Sequence, residues 1–195
     1  PTASINPLSP TFEGFDALIY DSEEVDGFEI GLKSNLLDNN MRLNATYYKY
    51  EYTDLQVQLF DAAIIQFSTF NAGAVETEGF EADLLWYTEI PGLSLRGQFA
   101  WTDATNTGDF ITPGGENLKG TKRSYSPEIA GSFGLSYDSG LSNGWRYNIS
   151  TDARYSDEYG WGTYIDSPMQ DSFWINDVAL SLYSEDGKHS FNLIG

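Results

Sequence analysis

SPEIAGSFGLSYDSGLSNGWRYNISTDARYS, residues 126–156, is the stretch whose reading decides the fold. Taken two residues at a time, Ile129, Gly131, Phe133, Leu135 and Tyr137 fall on one face. Ala130, Ser132, Gly134, Ser136 and Asp138 fall on the other. Residues 139–144, rich in Gly, Ser and Asn, turn the chain. Beyond them Trp145, Tyr147, Ile149, Thr151, Ala153 and Tyr155 alternate with Arg146, Asn148, Ser150, Asp152, Arg154 and Ser156. Successive strand residues point to opposite faces, so the stretch is a hairpin with one apolar and one polar face. Length separates a soluble hairpin from a membrane one. Each arm runs to about a dozen residues, against about five or six for a usual strand and about 9–11 for a tilted strand that crosses a bilayer. Trp145 sits beside the turn, where an interfacial aromatic girdle would place it. The hairpin reads as transmembrane, with lipid against the apolar face and water against the polar one.

The same period spreads outward in both directions. Residues 1–22 carry Pro1, Pro7, Pro10 and Gly14 and read as an irregular, extracellular-type loop. A first strand, about Glu24 to Leu37, sets Phe28, Ile30, Leu32 and Leu36 against Glu29, Lys33 and Asn35, and Asp38-Asn39-Asn40 forms a tight turn. A second strand, Met41 to about Gln58, is interrupted on its apolar face by Lys49 and Glu51, as a bulge or a strand rising out of the bilayer would require. Residues 59–70 read as an apolar connection, and a third strand follows from Asn71 to Thr88 with Phe80, Ala82, Leu84 and Trp86 on one face. The fourth carries Leu93, Leu95, Phe99 and Trp101. After the hairpin already described, a seventh carries Trp174, Val178, Leu180 and Leu182, and an eighth begins with Phe191 and Leu193.

Connections alternate in length. Short turns fall near 38–40, 90–92, 139–144 and 185–187, and long segments near 59–70, 106–122 and 157–171. All short turns then lie at one end of the sheet and all long loops at the other, the asymmetry of outer-membrane barrels. Trp86 and Trp145 lie by short turns, and Trp101, Tyr155 and Trp174 towards long loops, giving two belts of a membrane-interface girdle. The expected architecture is all-β: an antiparallel, up-and-down transmembrane β-barrel segment. Residues 23–195 would form four consecutive hairpins, truncated at both ends, so that 1–195 is a partial barrel domain.

Composition narrows the function. The chain has 195 residues, 29 acidic against 10 basic, for a net charge of −19, and no Cys. Such a field repels nucleic acid, so none is expected as a partner. Without Cys there is no disulfide framework, thiolate chemistry or Cys-ligated metal. No run approaches the 18 apolar residues of a membrane helix, which leaves a barrel open because every second residue of its strands is polar.

Three segments carry a family resemblance: Tyr20–Gln58 (YDSEEVDGFEIGLKSNLLDNNMRLNATYYKYEYTDLQVQ), Asn71–Trp86 (NAGAVETEGFEADLLW) and Ser126–Asp138 (SPEIAGSFGLSYD). They resemble the barrel of TonB-dependent outer-membrane receptors, and the likeness to the later, C-terminal part of that barrel covers most of the chain. The resemblance implies a barrel of about 22 strands with a plugged lumen. It implies energised uptake of a scarce large nutrient across the outer membrane of a Gram-negative bacterium: a ferric siderophore, cobalamin or a glycan. The partners implied are outer-membrane lipid, the small-molecule ligand and, in the full-length protein, TonB and the plug domain. The chain departs from the family pattern in lacking the plug, the TonB-contact motif and a terminal aromatic strand end.

Site chemistry is sparse. No catalytic residue, cofactor or metal site is expected, and the protein reads as no enzyme. His189 is the only His and stands by a turn without partners of a catalytic motif. The pairs Glu76/Glu78 and Glu81/Asp83 lack the convergent, Gly-bearing loop geometry of a calcium site and read as solvated carboxylates. The plausible ligand surface is the set of loop aromatics Phe60, Phe67, Phe70, Phe110, Tyr159, Trp161 and Tyr164, whose rings would stack on a catechol or a sugar. The plainer reading is that these rings pack the loops against one another. Inside, Glu29, Lys33, Glu81, Asp83, Arg96, Arg146, Asp152 and Arg154 would form a mixed-charge wall. Two rival architectures fit parts of the pattern. One is a complete eight-stranded barrel with a structural or adhesive role. The other is a soluble glycan-binding β-sandwich, in which a second sheet would cover the face of Phe133, Trp145 and Tyr147.

Overall fold

The computed structural model describes residues 21–61, 66–112, 114–162 and 165–195. The strands are β1 (Glu24–Leu36), β2 (Met41–Asp61), β3 (Gln66–Tyr87), β4 (Leu93–Asn106), β5 (Ile129–Gly140), β6 (Arg146–Ser156), β7 (Tyr159–Gly160), β8 (Met169–Gln170), β9 (Phe173–Tyr183) and β10 (Ser190–Ile194). Eight of them form one sheet in the order β1-β2-β3-β4-β5-β6-β9-β10, each antiparallel to its neighbours. This is the up-and-down meander that the alternating sequence predicts. The sheet is open. Its edge strands, β1 and β10, do not pair with each other, so the closed eight-stranded barrel is not formed.

Registers are constant along every ladder, and this decides which side chains meet. One row across the sheet runs Leu32, Ala45, Ala82, Phe99, Gly131, Tyr155, Trp174. Another runs Ser34, Leu43, Leu84, Gly97, Phe133, Ala153, Asn176. Large residues meet small ones at several places along these rows, as Phe99 meets Gly131 and Phe133 meets Gly97 and Ala153, and a one-residue slip would turn the whole apolar set to the other face. The apolar face is uncovered: Ile30 is 69%, Phe133 52% and Leu193 71% exposed. No second sheet lies over it among the described residues, so the sandwich expectation fails. An apolar band of this breadth far exceeds what a water-facing surface carries without a partner.

Two sequence expectations need correction. Residues 59–70 are mostly strand, not a connection: β2 and β3 pair as far as Asp61 and Gln66, with Phe60 opposite Phe67 and Val57 opposite Phe70. The interruption at Lys49 and Glu51 is not a bulge, because the β2–β3 register is the same on both sides of Asp54 and Gly73. The hairpin instead outruns its neighbours. β1 begins opposite Thr53 and β4 ends opposite Val75, leaving β2 and β3 to project beyond them. Lys49 and Glu51 mark the upper border of the apolar band. There Lys49 Nζ lies 2.9 Å from Glu76 and 3.7 Å from Glu78, whose carboxylate also accepts a hydrogen bond from the Tyr47 hydroxyl at 3.2 Å. The first turn also starts one residue earlier than expected, with positive φ at Leu37, Asp38 and Asn39.

Candidate functional site

The polar face is concave. Asn44, Glu81, Asp83, Arg96, Asp152 and Arg154 are among the residues that line a hollow of 1090 Å³ in it. Two of its arginines are paired across strands. Arg96 on β4 reaches over β5 to pair with Asp152 on β6, and Arg154 Nη2 donates to Asp177 at 3.0 Å. Asn44 Nδ2 donates to both carboxylate oxygens of Asp83 at 3.1 Å. The Arg96–Asp152 pair spans a row whose middle member is Gly134. A Cβ there would meet Arg96 Cγ and Asp152 Oδ1, each at 2.8 Å. Gly134→Leu should therefore split the pair and destabilise the assembled protein by about 1–3 kcal/mol, the range for overpacking, since the atoms met include the middle of the Arg96 side chain. Denaturant titration of the folded barrel checks this; an unchanged midpoint would show that the pair bridges nothing of consequence.

Towards the end with the long connections, Tyr48, Tyr50 and Tyr52 climb the polar face of β2 as a ladder, with ring centroids 5.7 and 6.4 Å apart. Tyr50 lies against Gly27 and Tyr48 against Gly79, where no side chain blocks the ring. The Tyr48 hydroxyl lies 3.1 Å from that of Thr102, and the Tyr50 hydroxyl donates to Glu29. A small core caps this region. Val75, Ala104, Phe110 and Leu118 are buried, and Val57 of the projecting hairpin packs against the last two.

The segment between β4 and β5 is tied down by its own hydrogen bonds. Thr107 N and Gly108 N donate to Ala74 O, and Leu118 N donates to Phe110 O. Asn106 N donates to Thr121 O at 2.9 Å, and Arg123 N to Ala104 O at 2.8 Å. The segment between β6 and β9 folds into the β7–β8 ribbon and docks on it, with Tyr125 N donating to Gly160 O and Ser124 Oγ to Gly162 O. The two segments enclose a pocket of 200 Å³.

The loop aromatics divide. Phe110 is buried at 3% exposure and serves as core, so its ring is not available for stacking on a ligand. Tyr159 is half-buried with its ring 6.2 Å from Tyr125, a contact between loops. Trp161 is 52% exposed and keeps an open ring face. Phe60, Phe67 and Phe70 occupy the projecting hairpin; their rings, like Tyr164, lie outside the described residues. The five aromatics expected to form a girdle all sit on the apolar face. Trp86 shares a row with Met41 and Leu95 near the short turns, and Trp145 stacks on Phe191 at 6.2 Å. Trp101, Tyr155 and Trp174 lie at the opposite end, the last two 5.0 Å apart. His189 is a turn residue whose backbone N donates to Ser184 Oγ. Among the described residues no three His, Asp or Glu side chains converge as a metal site requires. Sequence reasoning passed over Arg123, which only the pairing of residues 121–123 with β4 turns towards the polar face.

A family model described as TonB dependent receptor-like, beta-barrel matches residues 3–192. Among curated proteins none matches the sequence. Among solved structures, the siderophore receptor PiuA from Acinetobacter baumannii superposes with a TM-score of 0.71 at 20% identity, over 94% of this chain and 25% of that one. The ferric yersiniabactin uptake receptor FyuA from Yersinia pestis gives 0.65 at 15% identity, over 82% and 22%. The copper transporter OprC gives 0.61 at 14% identity, over 82% and 23%. At these identities the likeness is one of fold. The chain spans about a quarter of the length of these structures.

Proposed function

Because the chain belongs to the TonB-dependent receptor β-barrel family, we propose that it forms four consecutive hairpins of an outer-membrane receptor barrel that takes up a ferric siderophore. The observation that carries this reading is the pairing of an uncovered apolar face with a concave, ion-paired polar one on a sheet whose strands, β10 apart, run 11 to 22 residues. Lipid would cover the first face, and water and the plug domain would meet the second. The unpaired edges of β1 and β10 would continue into neighbouring strands of the same barrel. In this reading the long connections face outwards and receive the ligand, Trp161 and the projecting β2–β3 hairpin forming part of the receiving surface. TonB would supply the energy through the plug.

Uptake of radiolabelled iron tests the reading. Cells carrying the intact gene should accumulate iron from at least one ferric siderophore, and a protonophore or loss of TonB should abolish the accumulation. Iron entry unaffected by either treatment, or no entry from ferric catecholate, hydroxamate and carboxylate chelates alike, would reject it.

A further inference from the structure

Ten Lys and Arg residues serve a chain of net charge −19. Six of them, Lys49, Arg96, Lys119, Lys122, Arg154 and Lys188, have a carboxylate within 4.0 Å. The other four, Lys33, Arg42, Arg123 and Arg146, have none among the described residues. Three of these are exposed side chains near the short turns. Arg123 differs on both counts: it is partly buried, and it lies at the opposite end.

Its place follows from the backbone. Thr105 and Lys122 form an antiparallel bridge, so Lys122 lies on the apolar face with Asp103, 2.8 Å away. Arg123, one residue on, falls on the polar face in the row of Ala104, Thr77 and Tyr50. Among the described residues its guanidinium donates one hydrogen bond, Nη1 to Asn106 Oδ1 at 3.3 Å. Burial alone holds its pKa below the usual guanidinium value, and the group stays charged at any working pH. Taking a cation out of water is costly unless an anion compensates. The pocket it lines, with Lys122, Ser124, Gly160, Ile165 and Met169 among others, measures 200 Å³. That is below the roughly 300–1,000 Å³ of a whole-ligand site, and suits one arm of a larger molecule. A guanidinium presents its N–H groups as a planar fork that matches a carboxylate in two parallel hydrogen bonds.

We propose that Arg123 is an anion subsite in the barrel mouth that receives a carboxylate arm of the incoming ligand. The proposal rests on the uptake reading for its biological meaning, but the subsite can be tested separately. The chain has no Cys, so Ile165→Cys in an otherwise thiol-free intact receptor, labelled with an environment-sensitive dye, reports on this pocket. Iron-free citrate should change the dye signal saturably. Arg123→Gln should weaken citrate binding about tenfold or more, the worth of a charge-assisted contact. Arg123→Lys should retain part of it, and Lys188→Gln, at a short turn at the other end of the sheet and outside this pocket, should titrate like the parent. Citrate titration unchanged in Arg123→Gln, or no dye response in the folded receptor, would overturn the subsite. A response to inorganic phosphate but not to citrate would also overturn the carboxylate assignment. Failure of iron uptake alongside Arg123-dependent citrate binding would reject the uptake reading alone.

Discussion

Phe133→Arg should lower the stability of the assembled barrel by about 2–4 kcal/mol, the cost of a guanidinium at the middle of a lipid-facing band. Phe133 is the central residue of the apolar face of β5, with Ile129 four places before it and Tyr137 four places after. It lies between Gly97 and Ala153 in its row, and 52% of its surface is open. With only small residues beside it, an Arg at this height has no carboxylate in the row to pair with. Ser150→Arg provides the contrast. Ser150 lies between the small residues Ser136 and Ala179 on the polar side, and Asp152 stands two residues along the same face. It should change stability by about 0.5 kcal/mol or less, the usual range for a substitution in water. Denaturant titration of the intact receptor in detergent or liposomes, with heat-modifiability on gels as the sign of folding, measures both. Equal costs for the two substitutions would mean that both faces meet the same medium, and the membrane reading would fall with that result.

The contrast between these two positions is also what was legible in the residues alone. Alternation in residues 129–137 and 145–155 places Phe133 and Ser150 on opposite faces, and the constant registers carry that assignment across all eight strands of the sheet. Period-2 patterning is a local signal, set by the geometry of a single strand. What the sequence hid depends on partners distant in the chain. The segment LFDAAIIQFSTF has no sustained alternation of polar and apolar residues, so nothing in it distinguishes an apolar loop from a hairpin paired with itself. Phe110 sits among Gly, Asp and Pro and reads as a loop aromatic. It becomes core only because Leu118 and Val57 meet it. Gly134 matters through Arg96 and Asp152, 38 residues before and 18 after it, and no local motif announces that. Arg123 stands in a run of Lys, Arg and Ser with no periodic pattern, and its inward direction follows from a bridge to β4. For the candidate site, then, the polar face of the strands was legible in the sequence, while the burial of particular side chains depended on how two long connections dock.

Gly92→Ala should cost more than the same change at Gly187, although both glycines have positive φ, 85° and 67°. A left-handed backbone costs an L-residue with a Cβ about 1–2 kcal/mol. At Gly187 nothing lies within 4 Å of where an added methyl group would sit, so that strain is the whole penalty. Gly92 is in a different setting. In Ile90-Pro91-Gly92-Leu93 the amide of Leu93 donates to Ile90 O at 3.0 Å, and Pro followed by Gly at the two central positions is the pattern of a type II turn. The turn does more than reverse the chain, since Gly92 O accepts a hydrogen bond from Asp138 N at 2.9 Å on β5. That bond draws the glycine so close that a Cβ would overlap the Asp138 carbonyl oxygen. Backbone cannot swing aside as a side chain can, so either the turn lifts away and loses the bond or the end of β5 shifts. Strain and overpacking together put the cost at about 2–5 kcal/mol, against about 1–2 kcal/mol at Gly187. Denaturant midpoints of the two variants of the intact receptor, measured side by side, check the difference. Equal penalties would show that the β3–β4 turn does not bear on β5, and that the β4–β5 ladder alone holds the two hairpins in register at this end.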